Sequence, residues 1–194
     1  ELHLKRAFSQ EKILKTLLSF KGVENSKNPL KKSGLISSVL SNYSKLTSSK
    51  LGKLGFKEYY IETREGFCTR IFAKLTDVSQ PTLAFIAGLG ASANMSSFSN
   101  FALPISEKTN WNILLVENSS HANWTRRNNY LHISGYESGW NLYLVLKSLR
   151  KHSEINPYMK SCHLIGLSLG GSDAVFASYF DSVLEKKAII KSIM

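Results

Sequence analysis

The sequence predicts an α/β domain, a mostly parallel sheet opened by an antiparallel hairpin and preceded by a basic helical extension. Three observations carry this. Short apolar runs alternate with helix-like periodicity from about residue 83 onward, two strand-forming segments flank the turn signal Arg64-Glu65-Gly66, and most of the net charge sits in the first 55 residues.

The hairpin comes first. Tyr59, Tyr60, Ile61 and Thr63, then Cys68, Thr69, Ile71 and Phe72, are β-branched or aromatic residues that suit a pleated surface. The run Leu83-Ala84-Phe85-Ile86-Ala87 reads as a buried strand ending at Gly88-Leu89-Gly90, and Ile113-Leu114-Leu115-Val116 as another ending at Glu117. Between them Phe98, Phe101 and Ala102 suggest a helix that Pro104 must kink or terminate. Ser134 followed by Glu137 forms a capping box, so a helix is expected there. Its apolar face would be Tyr136, Trp140, Tyr143, Leu144 and Leu146, with Lys147, Arg150 and Lys151 at its end and Asn156-Pro157 beyond it. Cys162-His163-Leu164-Ile165 is the next strand, a helix follows from about Gly171 to Asp181, and Ala188-Ile189-Ile190 begins one more strand.

Two units are expected, a basic helical extension over 1–55 and an α/β core over 56–194. The chain of 194 residues exceeds one domain of about 150 by an appendage. Residues 1–55 hold eleven Lys/Arg against three Glu, a net +8, whereas the remaining fourteen basic and eleven acidic residues leave only +3. Within 1–55, Leu4, Ala7, Phe8, Leu14, Leu17 and Leu18 fall on one helical face with Lys5, Lys12 and Lys15 off it, and a weaker helix runs through Leu35, Ile36, Val39 and Leu40. Such an arm either packs on the core with its lysines in water or docks an anionic membrane surface or protein. Nucleic acid is not indicated, because the arm lacks interleaved aromatics and any known nucleic-acid module.

With 43% hydrophobic and 20% charged residues the composition is that of a globular protein. No run reaches the roughly 18 apolar residues of a membrane span. Cys68 and Cys162, far apart in strand-like runs, read as free thiols. They leave two compartments open, the cytoplasm and the outside after removal of a leader. No His/Cys cluster has metal-ligand spacing, and no metal is expected.

The most specific signal is Gly166-Leu167-Ser168-Leu169-Gly170, G-x-S-x-G between a strand and a helix, with Gly171 after it. A serine on so sharp a turn has a strained backbone, and the positions two before and two after it must be small. The turn presents a hydroxyl at the strand's carboxyl end, where the helix amides favour a developing anion. Acyl transfer also needs two amides aimed at the tetrahedral oxygen. Leu169 supplies one by position, and Leu89, in the glycine loop after the first parallel strand, is the candidate for the other.

On these residues 56–194 resemble the N-terminal half of an α/β-hydrolase of the serine esterase or lipase kind. The parts that match are the opening hairpin with Glu65-Gly66 at its turn, the loop Ala87-Gly88-Leu89-Gly90 and the turn Gly166-Leu167-Ser168-Leu169-Gly170-Gly171. The family often has His-Gly where this chain has Ala87-Gly88. The resemblance implies an ester, thioester or amide hydrolase with Ser168 as nucleophile, a small-molecule or lipid-like acyl substrate and no cofactor. It also implies an acid and then a histidine later in the chain.

After Ser168 the acids are Asp173, Asp181 and Glu185, and there is no histidine. His3, His121, His132, His152 and His163 all precede it. The acid and base are therefore expected beyond residue 194, or the chain is a degenerate, non-catalytic binding module. His121 follows a strand end and is the histidine placed to approach the active face, whereas His163 reads as a core residue. A third reading takes Gly88-Leu89-Gly90-Ala91-Ser92-Ala93 as a G-x-G-x-x-A dinucleotide turn with Glu117 on the ribose. Against it, Glu117 falls 27 residues after Gly90 rather than about 20, and the G-x-S-x-G turn goes unexplained.

Overall fold

The computed structural model describes residues 47–194 apart from residues 64, 95 and 133. The helices expected over 4–18 and 35–40 lie outside the described residues. Helix α1 (Ser48–Lys53) begins at Thr47, whose hydroxyl accepts from Lys50 N, and it buries Leu51. Strands β1 (Lys57–Glu62) and β2 (Cys68–Lys74) form the antiparallel hairpin. The Thr63–Phe67 turn closes it, with Gly66 at φ +80°, a value that suits glycine.

The rest is β3 (Gln80–Ile86), α2 (Ser96–Thr109), β4 (Asn112–Val116), α3 (Ala122–Asn128), α4 (Gly135–Leu149), β5 (Met159–Gly166), α5 (Leu169–Leu184) and β6 (Ile190–Ile193). The six strands make one sheet in the order β1-β2-β4-β3-β5-β6. Pairing is antiparallel from β1 to β4 and parallel from β4 to β6. That is the predicted class, and the register explains the apolar runs. Successive residues of a strand face opposite sides of a sheet. Leu83, Phe85, Ile113, Leu115 and Phe72 join Leu51 and Ala102 on one side. Ala84, Ile86, Leu114, Val116 and Ile71 meet α4 and α5 on the other. Both faces are covered, so β4 is buried at every residue. Edge strand β1 instead exposes Lys57, Glu58 and Glu62, charges that discourage further pairing.

Helices α4 and α5 approach closely because Gly139 stands where a Cβ would meet Phe176 Cβ at 2.5 Å and the Asp173 carbonyl at 3.0 Å. The Ser134 hydroxyl caps α4 by accepting from Glu137 N at 3.2 Å, the first half of the expected capping box.

Several boundaries differ from expectation. Of the two outcomes expected at Pro104, termination does not occur: helix α2 runs through it to Thr109, with Ala102 buried in the core. Helix α5 starts at Leu169 and ends at Leu184, because the chain leaves β5 within two residues. Strand β6 begins at Ile190, after the amides of Ile189 and Ile190 have been taken by Asp181 Oδ2 at 2.7 and 2.8 Å. Helix α3 was not foreseen. Of its residues only Trp124 is buried, and tertiary bonds hold it: Trp124 Nε1 donates to Thr69 Oγ1 at 2.9 Å, and the Asn128 amide pairs with both backbone groups of Cys68. On α4, Tyr143, Leu144 and Leu146 are buried as expected, whereas Tyr136 is exposed with its ring edge on Phe176 and Phe180. Cys68 and Cys162 are free, and burial pushes the Cys162 thiol up to about 12. Among the described residues no helix is long and apolar enough to cross a membrane.

Candidate active site

Strand β5 delivers Ser168 to the carboxyl end of the sheet, and α5 begins at the next residue. Ser168 has φ 56° and ψ −123°, backbone that a side chain adopts only under constraint. The constraint is mutual packing. A Cβ at Gly170 would collide with the Ile86 and Ala87 carbonyl oxygens, and one at Gly166 with the backbone of Gly170 and Gly171. Leu167 N donates to Ile86 O at 3.2 Å, tying the turn to the end of β3. Gly171 is different: a Cβ there would meet only the Gly166 carbonyl, at 3.5 Å and more.

The serine is exposed, and its hydroxyl has no hydrogen-bond partner among the described residues. The loop after β3 lies against it. A Cβ on Gly88 would stand 2.9 Å from Leu167 O and 3.3 Å from Ser168 Cβ, so only glycine fits. Gly90, at φ +63°, turns the loop back, with Ala91 N donating to Gly88 O at 3.0 Å. Neither the Leu89 N–H nor the Leu169 N–H has a hydrogen-bond partner among the described residues. Leu89, in this loop, and Leu167, next to the serine, leave 66% and 59% of their surface exposed.

Buried polar groups under this loop were not legible as a site. Asn118 Nδ2 donates to Ala87 O at 2.7 Å and to Asp173 Oδ2 at 2.8 Å. Its Oδ1 accepts from the Ser120 amide at 2.8 Å and from the Ser120 hydroxyl, which in turn accepts from Gly90 N at 2.8 Å. The Ser138 hydroxyl donates to Asp173 Oδ1. Burial pushes the Asp173 carboxyl up to about 6, against the lowering effect of these hydrogen bonds from Ser138 and Asn118.

No protein-family model and no curated protein sequence matches this chain. Solved structures do. Esterase Pf2001 of Pyrococcus furiosus superposes with a TM-score of 0.58 at 17% identity, over 77% of this chain and 51% of that one. Dienelactone hydrolase from Anabaena variabilis gives 0.56 at 15% identity, over 72% and 62%. The α/β hydrolase GrgF from a Penicillium species gives 0.54 at 18%, over 66% and 42%. The fold is that of the α/β-hydrolases. The chain spans only 42–62% of the length of these three structures.

In this α/β-hydrolase fold the described histidines have partners other than the serine. His121 caps α3, its Nδ1 accepting from Asn123 N at 3.2 Å and lying 3.3 Å from Glu117 Oε1. His132 packs among Phe67, Trp124 and Tyr130, where burial lowers its pKa. His152 meets the Tyr59 ring. His163 is half-buried against Trp111 and bonded to Ser161 and Ser192, on the face of the sheet and not in the core as expected. The later acids are also engaged: Asp181 holds the start of β6, and Glu185 accepts from Lys147 and Tyr143.

Glu117 is fully buried between Arg70 at 3.2 Å and Arg127 at 3.0 Å. Burial raises its pKa, but the His121 ring beside it, the Arg127 hydrogen bond and the two guanidinium charges outweigh that and hold it below the usual range. A carboxylate so enclosed is not presented to a ribose. In addition, α2 starts only at Ser96, past the point where a dinucleotide turn would enter its helix. No cluster of three metal-ligating side chains occurs among the described residues.

Proposed function

We propose that this chain carries the nucleophile of a serine hydrolase acting on a carboxylic ester or related acyl group. The observation that carries the reading is Ser168: an exposed hydroxyl on a backbone at φ 56°, between β5 and α5, with the Gly88 loop packed against it. Holding a non-glycine residue there costs about 1–3 kcal/mol, and such strain gathers at reactive positions.

Ser168 Oγ attacks the acyl carbon, and the carbonyl oxygen becomes an oxyanion that accepts from the Leu89 and Leu169 amides. Collapse of this intermediate expels the alcohol, which takes up a proton, and leaves an acyl-serine. Water then attacks the acyl-serine, releasing the acid and returning the proton to Ser168. Each oxyanion donor is worth about 10²–10³ in turnover in enzymes of this kind. The exposed Leu89 and Leu167 side chains favour an apolar acyl group. Proton transfer needs a base, and the described histidines are engaged elsewhere, so the reading calls on a histidine and an acid from sequence beyond residue 194. That same placement of the histidines favours a second reading, a non-catalytic binding module on the same fold.

A fluorophosphonate probe separates the two. The hydrolase reading expects one adduct on the whole polypeptide, mapped to Ser168 and lost in Ser168→Ala. A folded protein that takes no adduct would leave the binding module.

A further inference from the structure

We propose that Asn118, Ser120 and Asp173 are positioning residues that fix the Gly88–Gly90 loop from below and so aim the Leu89 amide at the oxygen above Ser168. The inference rests on the reading of that loop as an oxyanion donor. Leu89 sits between Gly88 and Gly90, and a loop built on two glycines does not hold its own direction. Side chains from elsewhere in the fold hold it at both ends. Asn118 Nδ2 grips the Ala87 carbonyl at 2.7 Å on the near side, and the Ser120 hydroxyl takes the Gly90 N–H at 2.8 Å on the far side. Between these two anchors the Leu89 N–H makes no hydrogen bond among the described residues.

The grip is itself oriented. Asn118 is buried and uses its whole amide, with Nδ2 on Ala87 and Asp173 and Oδ1 on both groups of Ser120. An amide can be flipped by its surroundings, and Asp173 decides which way, since a carboxylate oxygen accepts from NH₂ and not from the amide oxygen. Asp173 is held in turn by Ser138 on α4, where Gly139 brings the two helices together. Asp173 is one turn after Leu169, so the helix that carries one proposed donor also carries the group that orients the other.

Backbone amide exchange and serine labelling on the whole polypeptide test this together. Ser120→Ala removes the far anchor and one of the two donors to Asn118 Oδ1, from a partly exposed site. Exchange at Gly90 is expected to rise about two- to tenfold, the range for one lost hydrogen bond, with β3 and β5 unchanged. Asn118→Ala is expected to exceed this, and Asp173→Asn to fall close to wild type, because its amide oxygen still accepts from Asn118. Turnover of an activated ester is expected to fall in kcat with KM unchanged. Unaltered exchange at Gly90 in both alanine variants would overturn the proposal. A wild-type chain that fails to label would instead overturn the hydrolase reading, while exchange still decides whether the three side chains hold the loop.

Discussion

Gly88 and Ser168 touch across the carboxyl end of the sheet: a Cβ on the glycine would stand 3.3 Å from the serine Cβ and 2.9 Å from the Leu167 carbonyl oxygen. The neighbour at 2.9 Å is backbone and cannot swing away. Gly88→Ala is therefore expected to displace the turn, costing about 1–3 kcal/mol as overpacking does. Phosphonate labelling of Ser168 should slow about 10- to 100-fold from misplacement. Thermal melting and labelling rate measure the two effects. Wild-type values in both would mean the loop is not seated on the serine.

Strain at Ser168 makes a second prediction that depends on no substrate. Glycine reaches φ 56°, ψ −123° without the penalty a side chain incurs. Ser168→Gly should raise stability by about 1–3 kcal/mol in denaturant unfolding. Ser168→Ala keeps a Cβ and so keeps the strain, and its stability should stay within about 0.5 kcal/mol of wild type. Equal stabilities for the two variants would show a relaxed turn.

The glycines after the serine are not equivalent. A methyl on Gly170 runs into the Ile86 and Ala87 carbonyl oxygens, whereas one on Gly171 finds its nearest neighbour at 3.5 Å. Gly171→Ala is expected to stabilise by about 0.5–1 kcal/mol through helix propensity. Gly170→Ala should cost about 3 kcal/mol by forcing α5 off the end of β3. Urea midpoints that move together would refute this packing.

What could be read in the sequence tracks the range of the forces involved. The turn at Ser168 was legible because its constraint is local, glycines two residues either side of a serine between an apolar run and a helix. Strands β3 and β4 were legible because burial on both faces leaves uninterrupted apolar runs. Helix α3 was not, since its one buried side chain, Trp124, has no periodic companions and its other anchor is Asn128 on the Cys68 backbone. Nor was the network under the Gly88 loop. Asn118 and Asp173 are 55 residues apart, and polar side chains carry no pattern that announces a partner so distant. The sequence placed Asp173 only as an acid on the helix after the serine; its neighbours arrive with the fold.

That buried acid carries the last prediction. Asp173 has its carboxyl raised to about 6 from an ordinary 3.8, chiefly by burial, so the folded state holds a proton that the unfolded chain has released. Below the ordinary value both states are protonated and the residue costs nothing. As pH rises from about 4 to about 6 only the unfolded state gives up its proton, and stability is lost, levelling off once the folded carboxyl has also ionised. Asp173→Asn cannot ionise, and its amide fits between Asn118 and Ser138 with the oxygen toward the first and the nitrogen toward the second. The variant should match wild type near pH 4 and gain on it steadily, reaching an advantage of up to about 3 kcal/mol above pH 6. Other groups drift with pH in both proteins, Glu117 in the opposite sense because its carboxyl is held low, so the difference between the two curves is the quantity to measure. Urea unfolding at half-unit steps of pH gives it directly. A difference that stays flat across the range would mean that Asp173 is ionised throughout, with Asn118 and Ser138 satisfying the carboxylate in full.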